Sequence, residues 1–189
     1  MKSAIAVFAV TASAFALPAA AQMNMSAFYV GGSLGQSKFK NSCTGLPAGL
    51  SCDEKDTAWR ILAGYQFNPN IAAEFGYHNF GETKASGGGI DVKDKASAWE
   101  LVAVGTWPIA NQFGIYGKLG AHHSESKLES NVGGSGKDTG NGLTFGAGLQ
   151  WNVMPPLGLR AEWQRYDKVG GVSDNKLDVL SLGAVWRFR

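Results

Sequence analysis

The sequence predicts an all-β chain: an eight-stranded antiparallel up-and-down transmembrane β-barrel. Three observations carry that prediction. Apolar residues alternate at period 2 with small or polar ones in eight successive segments, and successive side chains of a strand leave opposite faces. The apolar faces are rich in aromatics while the opposite faces carry charges, which suits a barrel with lipid outside and a polar lumen inside. Long polar connections alternate with tight turns, the end-to-end asymmetry of an outer-membrane barrel.

Composition agrees. The chain has 189 residues, room for one domain, with 26 glycines, six tryptophans and ten phenylalanines. Small interior positions and aromatic outer ones are what a narrow barrel needs. Charged residues make up 17% and the net charge is +2, so there is no concentrated basic face for nucleic acid. Lys2, the apolar run from Ala4 to Leu17, and the small residues Ala19 and Ala21 read as an export signal cut before Gln22. Residues 1–21 are thus expected to be removed, leaving 22–189 as the barrel. No later run is long and apolar enough for a spanning helix, so membrane integration must be by strands.

The first strand runs over Ala27–Lys40, with Phe28, Val30 and Leu34 on the apolar face. Trp59, Ile61, Ala63, Tyr65 and Phe67 alternate against Arg60, Leu62, Gly64 and Gln66. After the Asn68-Pro69-Asn70 turn, Ile71, Ala73, Phe75 and Tyr77 alternate against Ala72, Glu74, Gly76 and His78, making a hairpin. Trp99–Trp107 and Phe113–Leu119 flank the turn Pro108–Gln112. Leu143–Trp151 and Leu159–Gln164 flank Met154-Pro155-Pro156, and Asp178–Phe188 closes the set. Polar loops are expected at 41–56, 81–96, 124–141 and 167–176. The first holds Cys43 and Cys52, close enough in an exported chain to form a disulfide. No histidine or acidic cluster completes a metal site with them.

The same phase turns Arg60, Glu74, Glu100, Lys118, Arg160, Glu162 and Arg187 into the lumen. Facing lipid these charges would be prohibitive, whereas across a narrow lumen they can satisfy one another. Trp59, Phe67, Trp107, Trp151, Trp163 and Trp186 stand near the ends of the apolar faces, where interfacial aromatic girdles sit.

Three motifs carry a family resemblance: Gly64-Tyr65-Gln66-Phe67-Asn68-Pro69 with Glu74-Phe75-Gly76-Tyr77, Leu159-Arg160-Ala161-Glu162-Trp163-Gln164, and Leu180-Ser181-Leu182-Gly183 through Trp186-Arg187-Phe188. In that order they resemble the OmpA transmembrane domain over the whole mature chain. The resemblance implies an eight-stranded barrel in the outer membrane of a Gram-negative bacterium, termini in the periplasm. It further implies a lumenal ion-pair gate at Glu74 and Arg160, with Glu162 and Lys118 as matching interior charges. Val104 and Gln150 stand where the family has a gate lysine and a glutamate, so one alternative pair is neutral here.

His122 and Ser124 share a strand face beside Glu125, which resembles the His-x-Ser of lipid A deacylase barrels. The competing reading is polar residues at a strand rim. No P-loop, metal cluster or dinucleotide motif occurs, and neither enzyme activity nor a cofactor is expected. The expected role is structural or surface-related, with a narrow charge-gated passage for small solutes. The alternatives are a surface adhesin of the Ail/OmpX type and a lipid A deacylase-like esterase. Expected partners are outer-membrane lipid and lipopolysaccharide, periplasmic chaperones and the barrel-assembly machinery through the C-terminal strand, and a surface ligand through the four loops.

Overall fold

The computed structural model describes residues 28–40, 51–53, 55–87, 90–130, 135–171 and 175–188. The expected export segment and the side chains of the expected Cys43–Cys52 disulfide lie outside the described residues. The strands are β1 (Phe28–Lys40), β2 (Ser51–Asp53), β3 (Lys55–Asn68), β4 (Ile71–Gly87), β5 (Ile90–Pro108), β6 (Phe113–Ser130), β7 (Ser135–Met154), β8 (Leu157–Asp167) and β9 (Lys176–Arg187). A 3-10 turn, η1 (Val169–Gly171), lies between β8 and β9. All pairings are antiparallel, and contact of β4 with β5 closes eight long strands into a ring. The three-residue β2 adds only to the far end of β4.

The register fixes the barrel's dimensions. Following paired residues once around the ring passes from Tyr29 through Gly64, Glu74, Val102, Gly120, Thr144, Tyr166 and Leu177. It returns to β1 at Phe39, ten residues from where it started. With a rise of about 3.3 Å per residue and a strand spacing of about 4.8 Å, that offset tilts the strands by about 40° and gives a backbone radius of about 8 Å. A lumen that narrow is filled by side chains.

Burial follows the pleat. Outward positions such as Phe28, Leu34, Ile61, Leu101, Leu119, Leu143 and Leu182 are exposed, while inward ones such as Tyr29, Arg60, Leu62, Glu100, Val102, Lys118 and Thr144 are buried. A soluble sandwich would bury the opposite set. All six aromatics expected at the girdles point outward and are exposed. Phe67, Trp107, Trp151 and Trp186 lie toward the turn end; Trp59 and Trp163 lie toward the loop end. Trp59, Tyr77 and Trp99 pack together there, with ring centroids 5.6 and 4.8 Å apart.

The segments expected as loops differ from expectation. Residues 81–96 and 124–141 are mostly strand, because β4 runs to Gly87, β5 begins at Ile90, β6 ends at Ser130 and β7 begins at Ser135. Within 41–56, β2 and the start of β3 are strand, and 167–176 holds η1. Past the apolar belt both faces of a sheet meet water, so the apolar–polar alternation that marks a strand is lost although the ladder continues. A bulge in β4 between Asn79 and Glu82, with Gly81 at φ 79°, also shifts the phase. Asp56 accepts the Glu82 N–H there at 2.6 Å.

Candidate functional site

The lumen is built in three layers, and the central one is ionic. Glu74, on β4, is fully buried and draws Arg60 (3.0 Å, β3), Lys118 (2.8 Å, β6) and Arg160 (2.5 Å, β8). The Tyr29 hydroxyl adds a hydrogen bond to it at 2.7 Å. Glu162 takes Arg60 at 3.0 Å and Lys118 at 2.6 Å, with the Tyr116 hydroxyl donating at 2.8 Å. Glu100 pairs with Arg60 Nη2, the nitrogen that also takes Glu74, and accepts from Gln164 (2.7 Å) and Tyr166 (2.8 Å). Three cations and three carboxylates therefore form one neutral network, with tyrosine and glutamine side chains donating further hydrogen bonds to the carboxylates.

Among the expected lumen charges, the structure brings together Arg60, Glu74, Glu100, Lys118, Arg160 and Glu162. Arg187 is half-buried near the turn end and enters none of the ion pairs found among the described residues. Glu74 and Arg160 do meet, though not as an isolated pair, since Glu74 has two further cations. Arg160 leans on Gln150, whose Oε1 accepts from its Nε at 3.0 Å, and lies 5.4 and 5.1 Å from the Tyr29 and Tyr116 ring centres. The neutral glutamine thus fixes the guanidinium without competing for it as a carboxylate would. Tyr29, Tyr116, Tyr166 and Gln164 were not singled out in the sequence, although their inward phase was readable.

Apolar layers cover the network on both sides. Toward the turns lie Leu62, Ala72, Val102, Val104 and Val185 with the two tyrosine rings. Toward the loops lie Phe39, Phe80, Val169, Leu177 and Val179 with alanines and Tyr166. Val169 comes from the β8–β9 connection, folded into the barrel mouth by left-handed residues Lys168, Gly170 and Gly171. The space beside the network, lined by Gly32, Ser33, Arg60, Arg160 and Glu162 among others, amounts to about 10 Å³. That is room for about one water.

His78 is buried with its Nε2 2.8 Å from the Tyr166 hydroxyl and 3.4 Å from Glu100. His122 and Ser124 also point inward and are buried. The Ser124 hydroxyl donates to the Gly140 carbonyl at 3.2 Å and accepts the Gly170 N–H at 3.0 Å. It holds η1 against β7, sealed beneath that connection.

Comparison with known proteins points the same way. Residues 7–188 match the family model described as the outer membrane protein beta-barrel domain. Outer membrane protein A of Shigella flexneri is 31% identical over 198 residues, taking in 99% of this chain and 56% of that protein. Its counterpart in Escherichia coli O157:H7 is 31% identical over 194 residues, covering 99% and 55%. The chain spans about half the length of these relatives. Among solved structures, Neisserial surface protein A aligns with a TM-score of 0.64 at 21% identity, over 86% of this chain and 98% of that one. Ail, the attachment invasion locus protein of Yersinia pestis, aligns with a TM-score of 0.60 at 22% identity, over 87% and 100%. At those identities the likeness is one of fold.

Proposed function

We propose, for a chain that belongs to the outer membrane protein β-barrel domain family, a structural and surface-presenting role in the Gram-negative outer membrane, with its termini in the periplasm and its lumen closed at rest. The observation that carries this reading is the layered interior: an ion network between two apolar layers, with about 10 Å³ of space beside it. A charge gate alone would open if one ion pair changed partners. Here, releasing Arg160 leaves Glu74 held by Arg60 and Lys118, and the apolar layer toward the loops still blocks the path. The network therefore locks the barrel's cross-section first and excludes solutes as a consequence. In this reading the C-terminal strand β9 is what periplasmic chaperones and the barrel-assembly machinery engage.

A second reading, surface attachment, is favoured by one observation. Strands β4 to β7 continue as a paired sheet well past the apolar belt, so the barrel raises a polar platform rather than loose loops. The esterase reading gains nothing from the geometry, because Ser124 is buried and hydrogen-bonded on both sides.

The test is liposome swelling with the refolded mature chain, using glycerol and small sugars as osmolytes. A closed structural barrel leaves swelling at the rate of protein-free liposomes. Swelling that grows with protein content and falls with solute size would overturn the reading.

A further inference from the structure

On the turn side of the apolar layer formed by Leu62, Val104 and Val185, the lumen ends in a short vestibule. Its inward residues Gln66, Thr106, Asn152 and Arg187 are half-buried, one cation among neutral side chains. The sequence keeps acids out of this end. The turn-side parts of the eight long strands fall within residues 28–40, 57–73, 101–124, 139–161 and 179–189, and none of these stretches contains aspartate or glutamate. The carboxylates of the barrel begin at the ionic layer, with Glu74.

Arg187 is the cation that the network leaves over. It stands inward between the exposed Trp186 and Phe188, beside Tyr29 of β1, and its side chain has no partner among the described residues. The charged group that bears on it is Arg160, of like sign. Because the ionic layer is already neutral, the Arg187 charge is uncompensated there. Neutral amides join the two arginines. Arg160 gives Nε to Gln150 at 3.0 Å, and Gln150 gives Nε2 to Asn152 Oδ1 at 3.0 Å. Asn152 Nδ2 is then left without a partner among the described residues. Asn152 and Arg187 meet over Gly158, where a Cβ would stand 3.1 Å from Arg187 Nη1 and 3.4 Å from Asn152 Oδ1. Glycine at this position makes the niche into which the guanidinium folds.

We infer that this vestibule binds a small phosphate-type oxyanion entering from the turn side, held by the Arg187 guanidinium with the Asn152 amide as a second donor. A niche that offers an uncommitted guanidinium fork and amide N–H groups, and no carboxylate, matches a ligand that only accepts hydrogen bonds. A concave mouth carrying one sign of charge between low-dielectric walls also concentrates counter-ions. The chemistry could come from a lipid headgroup or from a free anion. Arg187 faces the lumen rather than the lipid, so the source is a soluble anion. The vestibule lies outside the ionic layer and both apolar layers, so anion binding and closure of the lumen stand or fall separately.

The experiment titrates inorganic phosphate into the refolded, isotopically labelled chain in an uncharged sugar detergent, at neutral pH and at an ionic strength held constant with sodium chloride. The Arg187 Nε–H, the Asn152 side-chain amide and the Gly158 backbone N–H are followed by NMR. In the wild type these signals should shift together and saturate, with a midpoint of about 1–10 mM. Arg187→Gln, read from Asn152 and Gly158, should weaken binding by at least about tenfold, and Asn152→Leu by about threefold to tenfold. Lys127→Gln, at the opposite end of the barrel, should leave the midpoint unchanged. Each variant is checked for the heat-dependent gel shift of a folded barrel, and the wild-type titration is decisive without them. Shifts that grow without saturating, or that survive Arg187→Gln, would overturn the site. So would an equal loss in Lys127→Gln. Saturation of the Arg187 signal by anionic phospholipid in bilayer discs, with no phosphate added, would overturn the assignment to a soluble anion.

Discussion

Replacing Glu74 with alanine should hurt the barrel more than replacing Arg160, and the double variant should be more stable than Glu74→Ala alone. Without Glu74, Arg160 loses its carboxylate partner and keeps Gln150 at 3.0 Å and two tyrosine faces. Arg60 and Lys118 keep Glu162, but the network now carries a surplus cation. Breaking a buried pair so that one charge is stranded costs about 3–5 kcal/mol. Without Arg160, Glu74 still has Arg60, Lys118 and the Tyr29 hydroxyl, so the loss is nearer that of one charged hydrogen bond, about 1.5–3 kcal/mol. Removing both restores neutrality, which should appear as a favourable coupling of about 1–3 kcal/mol. Urea unfolding of the refolded protein in lipid vesicles, followed by tryptophan fluorescence, measures all three. Equal costs for the two single variants, with a double equal to their sum, would refute the network argument.

Other outcomes follow from close contacts in the lumen. A Cβ on Gly64 would meet the Tyr29 ring and lie 2.6 Å from its hydroxyl, so Gly64→Ala should cost about 1–3 kcal/mol in the same unfolding assay. Tyr29→Leu in that background should recover part of the loss. Phe80 is fully buried in the loop-side apolar layer, and Phe80→Ala should lower stability by about 3–5 kcal/mol. Ser124→Ala removes the hydroxyl that joins Gly140 and Gly170. It should cost about 1–2 kcal/mol, speed proteolysis near η1, and leave lipid A acylation unchanged when wild type and variant are incubated with lipid A.

The inward phase of Arg60, Glu74, Glu100, Lys118, Arg160 and Glu162 was legible because the pleat fixes it one residue at a time. Which of them meet was not legible. That depends on the ten-residue offset around the ring, which brings Glu74 of β4 level with Arg160 of β8 and gathers Lys118 and Arg60 around the same carboxylate. Alternation within a strand carries no information about that offset. Arg187 shows the same gap: its phase is inward, yet it lies nearer the turns than the network. The strand extensions were hidden for a different reason. In Lys93–Ser97 and Glu125–Glu129 each segment holds one apolar residue, Ala96 and Leu128, among polar ones, so a paired ladder reads as a loop. The covering layer was hidden too, because Phe39 and Phe80 are apolar residues at the ends of faces otherwise mostly small or polar, and Val169 reaches the lumen only through the left-handed turn beside it.

The central claim is that three barriers in series, an ionic layer between two apolar ones, close the lumen. Single-channel recording in planar bilayers tests it most directly, with wild type, Arg160→Ala, Phe80→Ala, Val102→Ala and the triple variant measured at equal insertion. The account predicts silence from the wild type and from each single variant, with discrete openings only when all three layers are cut. Steady openings from the wild type, or from Arg160→Ala alone, would contradict it.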